Sequence, residues 1–475
     1  MKKFLAMMLA VLMLLSMATV AMATEDTNKI DHGNWNKTDI ANGGTFDLLK
    51  VYTNGEFAPD EDFSFTITPK TNGDPQPTIT VKPSNKSGVL SSTITVKLPE
   101  YSKVGTYEYK MKEVVPENPT KGVTYDTEER TLKVYVENTI ISNEDGTTTP
   151  GFKCQVALIK QNGKKDDRFT NVYNQGTAMI TKRVDSTVAA DKANPYNFTI
   201  TLSNVNDVDY TGVVVDANGA AVQGADNVTI HGTTAKSFTL TDGQSLKIEH
   251  LPNGASYTVT EAQPQKNPSH NGNVKVKYDN VDAVYDENGV STNAATGAIE
   301  TDKITTSTIA NNFTYTGNLI VKKVVTGNLG DEGKWFTFTV TGITADCEIN
   351  GSNEGYEKVS TDTTTGEFVF KLQHNGNVTI ENLPYGTRYT VTENADGYTP
   401  TETFVEKNTN GNAVEVENQT KGTIDQATEE FTFSNDNQQN IETGVSLDTL
   451  PYVLVLALAG AGLVMMIARK RRVQD

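Results

Sequence analysis

One pattern occurs three times in this 475-residue chain, and its period suits a β-sheet. An early segment alternates aromatic or aliphatic residues with Thr or Ser: Phe63-Ser-Phe-Thr-Ile67, Phe198-Thr-Ile-Thr-Leu202 and Phe336-Thr-Phe-Thr-Val340. A later one reads Tyr109-Lys-Met-Lys-Glu113, Tyr257-Thr-Val-Thr-Glu261 and Tyr389-Thr-Val-Thr-Glu393. Period 2 with β-branched and aromatic residues predicts half-buried strands. Each copy opens on a short strand ending in Lys (Phe46 to Lys50, Ala178 to Lys182, Leu319 to Lys323). Each closes on a strand ending in Asn: Phe169 to Asn171, Ile309 to Asn311, Phe433 to Asn435. Between the closing Asn and the next opening Lys lie 10 and 11 residues. No part of the body sustains a helical apolar period. The expected fold is all-β: three tandem Ig-like β-sandwich domains in an elongated rod with short joints.

Side chains two apart on a strand share a face. That parity puts Lys50 with Phe46 and Leu48, Lys182 with Ala178 and Ile180, and Lys323 with Leu319 and Val321. It also puts Glu113, Glu261 and Glu393 beside the Tyr and Met or Val of their strands. Asn171, Asn311 and Asn435 fall beside Phe169, Ile309 and Phe433. Three polar residues therefore lie on the apolar face of every repeat, where an unpaired charge is costly. A salt-bridged Lys–Glu pair with Asn in a turn would account for one copy. Three copies in the same order favour chemistry. A desolvated Lys loses its proton readily and becomes a nucleophile. A buried Glu keeps its proton and can polarise a carboxamide. Attack of the amine on the Asn carbonyl, with loss of ammonia, gives a Lys–Asn isopeptide bond without a cofactor. The expected bonds are Lys50–Asn171, Lys182–Asn311 and Lys323–Asn435, with Glu113, Glu261 and Glu393 as proton shuttles.

The ends set the compartment. Lys2 and Lys3, an apolar run from Phe4 to Val20 and Ala21-Met22-Ala23 form a secretory signal peptide. Pro451 to Ala468 is an uninterrupted apolar run followed by Arg469-Lys470-Arg471-Arg472, the pattern of a membrane span with a cytoplasmic stop. The body is thus expected outside the cell. Its net charge of −18 argues against a nucleic-acid partner. Two cysteines, Cys154 and Cys347, exclude a disulfide scaffold and a cysteine zinc site, and five scattered histidines show no ligand spacing. Asp216-Ala-Asn-Gly219 and Asp286-Glu-Asn-Gly289 lack the spaced ligands of a calcium loop and read as turns. No hydrolase triad or phosphate loop is present, so no metal, no cofactor and no turnover enzyme is expected. Bond formation would be a single autocatalytic event.

These features together resemble the backbone pilins of Gram-positive bacteria that carry FctA/CnaB-type isopeptide domains, in particular the T-antigen-like members. Tyr389-Thr-Val-Thr-Glu393-Asn-Ala-Asp-Gly-Tyr398 looks like that family's E-box. The resemblance covers about residues 44–438 and both termini. It implies a signal peptide at 1–23, a leader at 24–43, CnaB-type sandwiches at 44–175, 176–315 and 316–438, and a sorting region at 439–475. Asn440-Ile441-Glu442-Thr443-Gly444 looks like a divergent sortase signal without the usual Leu and Pro. A sortase would cut between Thr443 and Gly444 and pass the Thr443 carbonyl to a lysine of the next subunit. By position in the family, Lys164 is the acceptor, with Lys165 and then Lys160 behind it. A solvated charge cluster in the hairpin accounts for these lysines equally well. The implied partners are other copies of the chain, a sortase, and peptidoglycan or a basal pilin. The alternative is a wall-anchored adhesin or minor pilin that binds a host or partner-cell ligand.

Overall fold

The computed structural model describes residues 39–53, 57–81, 84–85, 91–344, 346–352, 354–407, 413–417, 420–439 and 450–471. The expected signal peptide and Asn440 to Gly444, with the Thr443–Gly444 cleavage point, lie outside them. The described chain is dominated by strands, with helices at Ala189–Ala193 and Leu450–Arg471. It forms two compact units. One comprises the chain up to Arg183 with Pro195–Gln263 and Lys277–Ala310. The other comprises Val184–Asn194, Pro264–Val276 and the chain from Asn311 on.

The first unit opens with a sandwich of two five-stranded sheets. One sheet runs Ile40–Ala41, Thr148–Ile159, Arg130–Ser142, Gly105–Val114, Ser64–Pro69. The other runs Thr78–Val81, Ser91–Lys97, Thr45–Thr53, Arg168–Tyr173, Val123–Thr124. Alternate residues of these strands close the core: Phe46, Leu48, Ile94, Val96, Tyr109, Met111, Leu132, Val134 and Phe169 are all buried. Each such aliphatic or aromatic side chain contributes about 1.5–3 kcal/mol by leaving water. The same unit continues into a sheet of Val228–His231, Asp209–Val215, Ser245–Pro252 and Gln175–Asp185. A second sheet holds Lys236–Leu240, Tyr196–Ser203, Ser256–Glu261 and Ala295–Ala298.

The second unit repeats the plan. One sheet holds Tyr356–Asp362, Glu367–Leu372, Phe336–Thr341, Arg388–Asn394 and Lys421–Thr423. The other holds Asn377–Pro384, the strand Ile304–Thr326 from Asn311 onward, Thr428–Asp436 and Pro400–Lys407. Phe336, Phe338, Phe368, Phe370, Phe404, Phe431 and Phe433 dominate its core.

The register of the first and last strands positions the chemistry. Antiparallel pairs prevail elsewhere, but Arg168–Tyr173 runs parallel to Thr45–Thr53, with Phe169 opposite Lys50 and Asn171 opposite Tyr52. Thr428–Asp436 likewise runs parallel to Ile304–Thr326, with Phe433 opposite Lys323 and Asn435 opposite Val325. In both, the asparagine pairs with the residue two beyond the lysine, so the two side chains emerge on one face as diagonal neighbours. The glutamates come from the other sheet, each paired with a phenylalanine of the early strand: Glu113 with Phe65, Glu261 with Phe198, Glu393 with Phe338.

Six residues before each lysine stands a glycine: Gly44, Gly176 and Gly317. A Cβ there would meet the carbonyl oxygen of Ala41 at 2.8 Å, Glu300 at 2.3 Å and Gln426 at 2.2 Å. Only a residue without a side chain lets the backbones approach so closely at the mouth of the opening strand.

The apolar run 451–468 is helical within Leu450–Arg471, with exposed side chains from Tyr452 to Ile467. The side chains described for the apolar run are those of 452–467, and among the described residues no helix is long and apolar enough to cross a membrane.

Candidate functional site

The first and third of the expected Lys–Glu–Asn sets each lie within one compact unit and are brought together there. In the first sandwich the Lys50 ammonium nitrogen lies 3.2 Å from Glu113 Oε2. Asn171 donates its amide N–H to Glu113 Oε1 at 2.9 Å. Lys50 Nζ also donates to the Phe169 carbonyl at 3.5 Å, so it is held against the strand that carries the asparagine. In the second unit Lys323 Nζ lies 2.9 Å from Glu393 Oε1, which also accepts the Asn435 amide at 2.9 Å. Lys323 donates to the Phe433 carbonyl at 3.2 Å. Between these, Lys182 meets both oxygens of Glu261 at 3.0 Å. Asn311, which begins the second unit, is fully buried.

These sites are closed to bulk solvent. Lys50, Lys182 and Lys323 are 0% exposed and Glu113 and Glu261 1%. The Glu393 side chain is as deeply covered. Aromatic rings form the walls: Lys50 lies 4.8 Å from the Phe63 ring, Lys182 4.5 Å from Tyr196 and Lys323 4.6 Å from Phe336. Removing a charge from water favours its neutral form. Burial pushes Lys50 and Lys182 down to about 8 against the opposing pull of Glu113 and Glu261. It lowers Lys323 too, with Glu393 opposing. Burial raises Glu113 and Glu393, each partly offset by its lysine. Both shifts favour the proton on the carboxyl group and a lone pair on the amine. The asparagine amide nitrogen, the future leaving group, rests on that same carboxyl. The arrangement can therefore supply a nucleophile, an acid for the leaving group and a base for the incoming amine.

The expected acceptor lysines lie in the connection between Thr148–Ile159 and Arg168–Tyr173. Lys164 and Lys165 are exposed. Lys160 is ion-paired to Asp166 at 3.0 Å. Lys164 sits in a turn whose backbone is fixed by Asn162 Oδ1 accepting the Lys164 N–H at 3.0 Å.

Three buried charged residues, Arg130, Asp191 and Glu429, escape the repeat pattern, as does the half-buried Asp126. Arg130 is 1% exposed, pairs with Asp126 at 2.7 Å and lies 4.0 Å over the Phe169 ring. Glu429 is fully buried; it accepts hydrogen bonds from the Tyr389 hydroxyl and, at 3.0 Å, from the Asp425 N–H. Parity held the signal for Arg130 and Glu429, since Arg130 shares a face with Leu132 and Val134, and Glu429 with Phe431 and Phe433. Asp126 lies in a connection without a period. Glu406, Asp425 and Glu429 bring carboxylate oxygens within 4.8 Å of one another. Burial pushes Glu429 up to about 7, so near neutrality this group carries a proton half the time, which weakens it as a cation ligand.

Residues 46–174 match the family described as the Spy0128-like isopeptide-containing domain. Residues 176–313 and 317–437 each match a domain of unknown function, DUF7601. The chain belongs to the DUF7601 family. Its two DUF7601 copies hold the second and third Lys–Glu–Asn sets, and the isopeptide-domain match holds the first. A pilin of Streptococcus pyogenes serotype M1 is 28% identical over 292 residues, 57% of this chain and 82% of that one. A crystal structure of the major pilin from Streptococcus pyogenes is 26% identical, with 57% of this chain and 99% of that one covered and a TM-score of 0.36. A bacterial adhesin from Mobiluncus mulieris containing intramolecular disulfide, isopeptide and ester cross-links is 15% identical, with 55% and 99% covered and a TM-score of 0.21. The resemblance read from the sequence, to Gram-positive backbone pilins with isopeptide domains, is supported by the Streptococcus pyogenes pilin and by the family match on 46–174.

Proposed function

We propose that this DUF7601 protein is the structural subunit of a covalently polymerised cell-surface pilus. Each of its three sandwiches (44–175, 176–315 and 316–438) is cross-linked internally between first and last strand. The observation that carries the reading is the buried Lys–Glu–Asn contact built on a parallel first-and-last strand pair, seen around Glu113 and again around Glu393. In each domain the neutral amine attacks the Asn carboxamide. The glutamic acid gives a proton to the leaving nitrogen and takes one from the incoming amine, and ammonia departs. Lys182–Asn311, served by Glu261, is assigned by the repeat. The supporting family matches on 46–174, 176–313 and 317–437 follow the same three-domain division.

Assembly follows from the ends. The precursor is held in the membrane by 451–468. A sortase cleaves between Thr443 and Gly444 and joins the Thr443 carbonyl to Lys164 of the next subunit, with Lys165 and Lys160 as lesser acceptors. An open head-to-tail filament results, ending on peptidoglycan or a basal pilin. Intact mass of the secreted body tests the internal bonds. Each releases ammonia, so three lower the mass by about 51 Da, and a mass equal to the unmodified chain refutes them. A ladder of covalent multimers on a denaturing gel separates this reading from an anchored adhesin, which runs as one band.

A further inference from the structure

Isopeptide formation makes one demand that lysine and glutamate do not meet. As the amine adds to the asparagine carbon, the carboxamide oxygen takes up negative charge, and in a site closed to bulk solvent that charge needs a fixed donor. The first sandwich has one. The backbone N–H of Asp126 donates to Asn171 Oδ1 at 2.9 Å, on the opposite side of the carboxamide from Glu113.

We propose that the Asp126 amide is the oxyanion donor for the Lys50–Asn171 bond, and that the ion pair of Asp126 with the buried Arg130 is the device that positions it. The proposal rests on reading Lys50, Glu113 and Asn171 as the bond-forming set. Asp126 holds the closing strand twice. Its N–H meets the Asn171 side chain, and its Oδ2 accepts the Thr170 N–H at 3.0 Å. Oδ2 also accepts Arg130 Nη2 at 2.7 Å, while Oδ1 takes the Glu128 N–H at 3.2 Å. Arg130 starts the strand that pairs with the glutamate strand, directly opposite Met111, and its guanidinium covers the Phe169 ring. One side chain thus ties the sheet bearing Glu113 to the loop bearing the donor and to the strand bearing the acceptor carbon. The cost of burying an arginine so completely is high, and this positioning accounts for it.

The electron bookkeeping closes. The Nζ lone pair forms the new C–N bond, and the carbonyl pair moves to Oδ1 and is stabilised by the Asp126 N–H. The Glu113 proton goes to Nδ2, the C–Nδ2 bond breaks as the carbonyl re-forms, and Glu113 recovers a proton from Nζ. Asn435 shows what the donor adds: its Oδ1 is buried with no hydrogen-bond partner among the described residues. The first bond therefore forms faster than the third in the same molecule.

The test is a pulse-chase of newly made full-length chain, quenched in acid and digested, with the cross-linked Lys50–Asn171 and Lys323–Asn435 peptides quantified over time. Replacing the Asp126 N–H by an ester oxygen, with the aspartate side chain retained, should slow the first bond about 100-fold and leave the third unchanged. Asp126→Ala, which keeps the N–H, should slow it less than Asp126→Pro, which removes it. Arg130→Met should slow it and Arg130→Lys should restore part of the rate. Trypsin resistance of each variant in a Lys50→Met background shows whether the domain still folds without its bond; if Asp126→Pro does not, the ester decides. If parent chains carry Lys50–Asn171 and the ester forms it at the parent rate, the oxyanion assignment is wrong and the bond-forming set stands. If parent chains never carry the cross-link, the set itself is wrong.

Discussion

Lys50→Met isolates what the first cross-link is worth. Met fills nearly the same volume against Phe63 and Tyr52 and removes both the nucleophile and the buried charge. Glu113, its carboxyl pushed up by burial, keeps its hydrogen bond from the Asn171 amide. What is lost is the closure of a loop of about 120 residues. Loop-closure entropy puts that at about 5 kcal/mol at 25 °C. For a domain of about 130 residues, whose unfolding entropy is about 0.27 kcal/mol/K, the melting temperature should fall by about 15–20 °C. Glu113→Ala also abolishes the bond, but it leaves Lys50 buried without its partner and should melt lower still, by a further 3–5 kcal/mol or so. Calorimetry of the secreted body reads both, with intact mass confirming that one ammonia, about 17 Da, is retained in each variant. The order should be parent above Lys50→Met above Glu113→Ala. If Lys50→Met retains that mass and melts within 5 °C or so of the parent, the entropic account of the bond fails.

Glu261→Ala should retain one ammonia in the second domain while the other two bonds form, as peptide mapping will show; full mass loss would remove Glu261 from the chemistry. Asn171→Ala leaves Lys50 unbonded, with a folded value near 8 against 10.5 when unfolded. The unfolded chain then holds a proton that the folded domain has lost, so stability should rise between pH 8 and 10.5 by about 3 kcal/mol, measured by denaturant unfolding and absent in Lys50→Met. Glu429 has the opposite sign: raised from 4.5 to about 7 in the fold, it should cost the second unit about 3 kcal/mol as pH rises through that window, and Glu429→Gln should flatten the slope. Lys164→Ala with Lys165→Ala should abolish the multimer ladder without changing the mass loss of the monomer.

Strand positions and the inward Lys, Glu and Asn were legible because a two-residue period reports which face a side chain takes. Lys50 and Glu113 could be named without knowing which strands were neighbours. The parallel pairing of Thr45–Thr53 with Arg168–Tyr173 was not legible, since pairing partners leave no local trace in either strand. Arg130 and Glu429 carry the same parity signal, but each occurs once, so no repetition sets it apart from a single satisfied charge. The Gly44, Gly176 and Gly317 spacing was present in the sequence, but its meaning depends on which carbonyl passes close by. Asp126 acts through its backbone, where the identity of the side chain says little about the amide.

The parallel first and last strands also decide how much the chain can lengthen under load. Unbonded, the third domain stores a slack of about 110 residues between Lys323 and Asn435, or about 370 Å when drawn out. With Lys323 joined to Asn435, a pull entering at one strand leaves by its immediate neighbour, and everything between is bypassed. With all three bonds formed and the load entering at Lys164, the backbone in series between cross-links would be the 10 residues from Asn171 to Lys182 and the 11 from Asn311 to Lys323, about 35 Å apiece even when taut. Such a chain is a tether and not a shock absorber: it transmits force almost without yielding, and compliance must come from whatever it is fastened to.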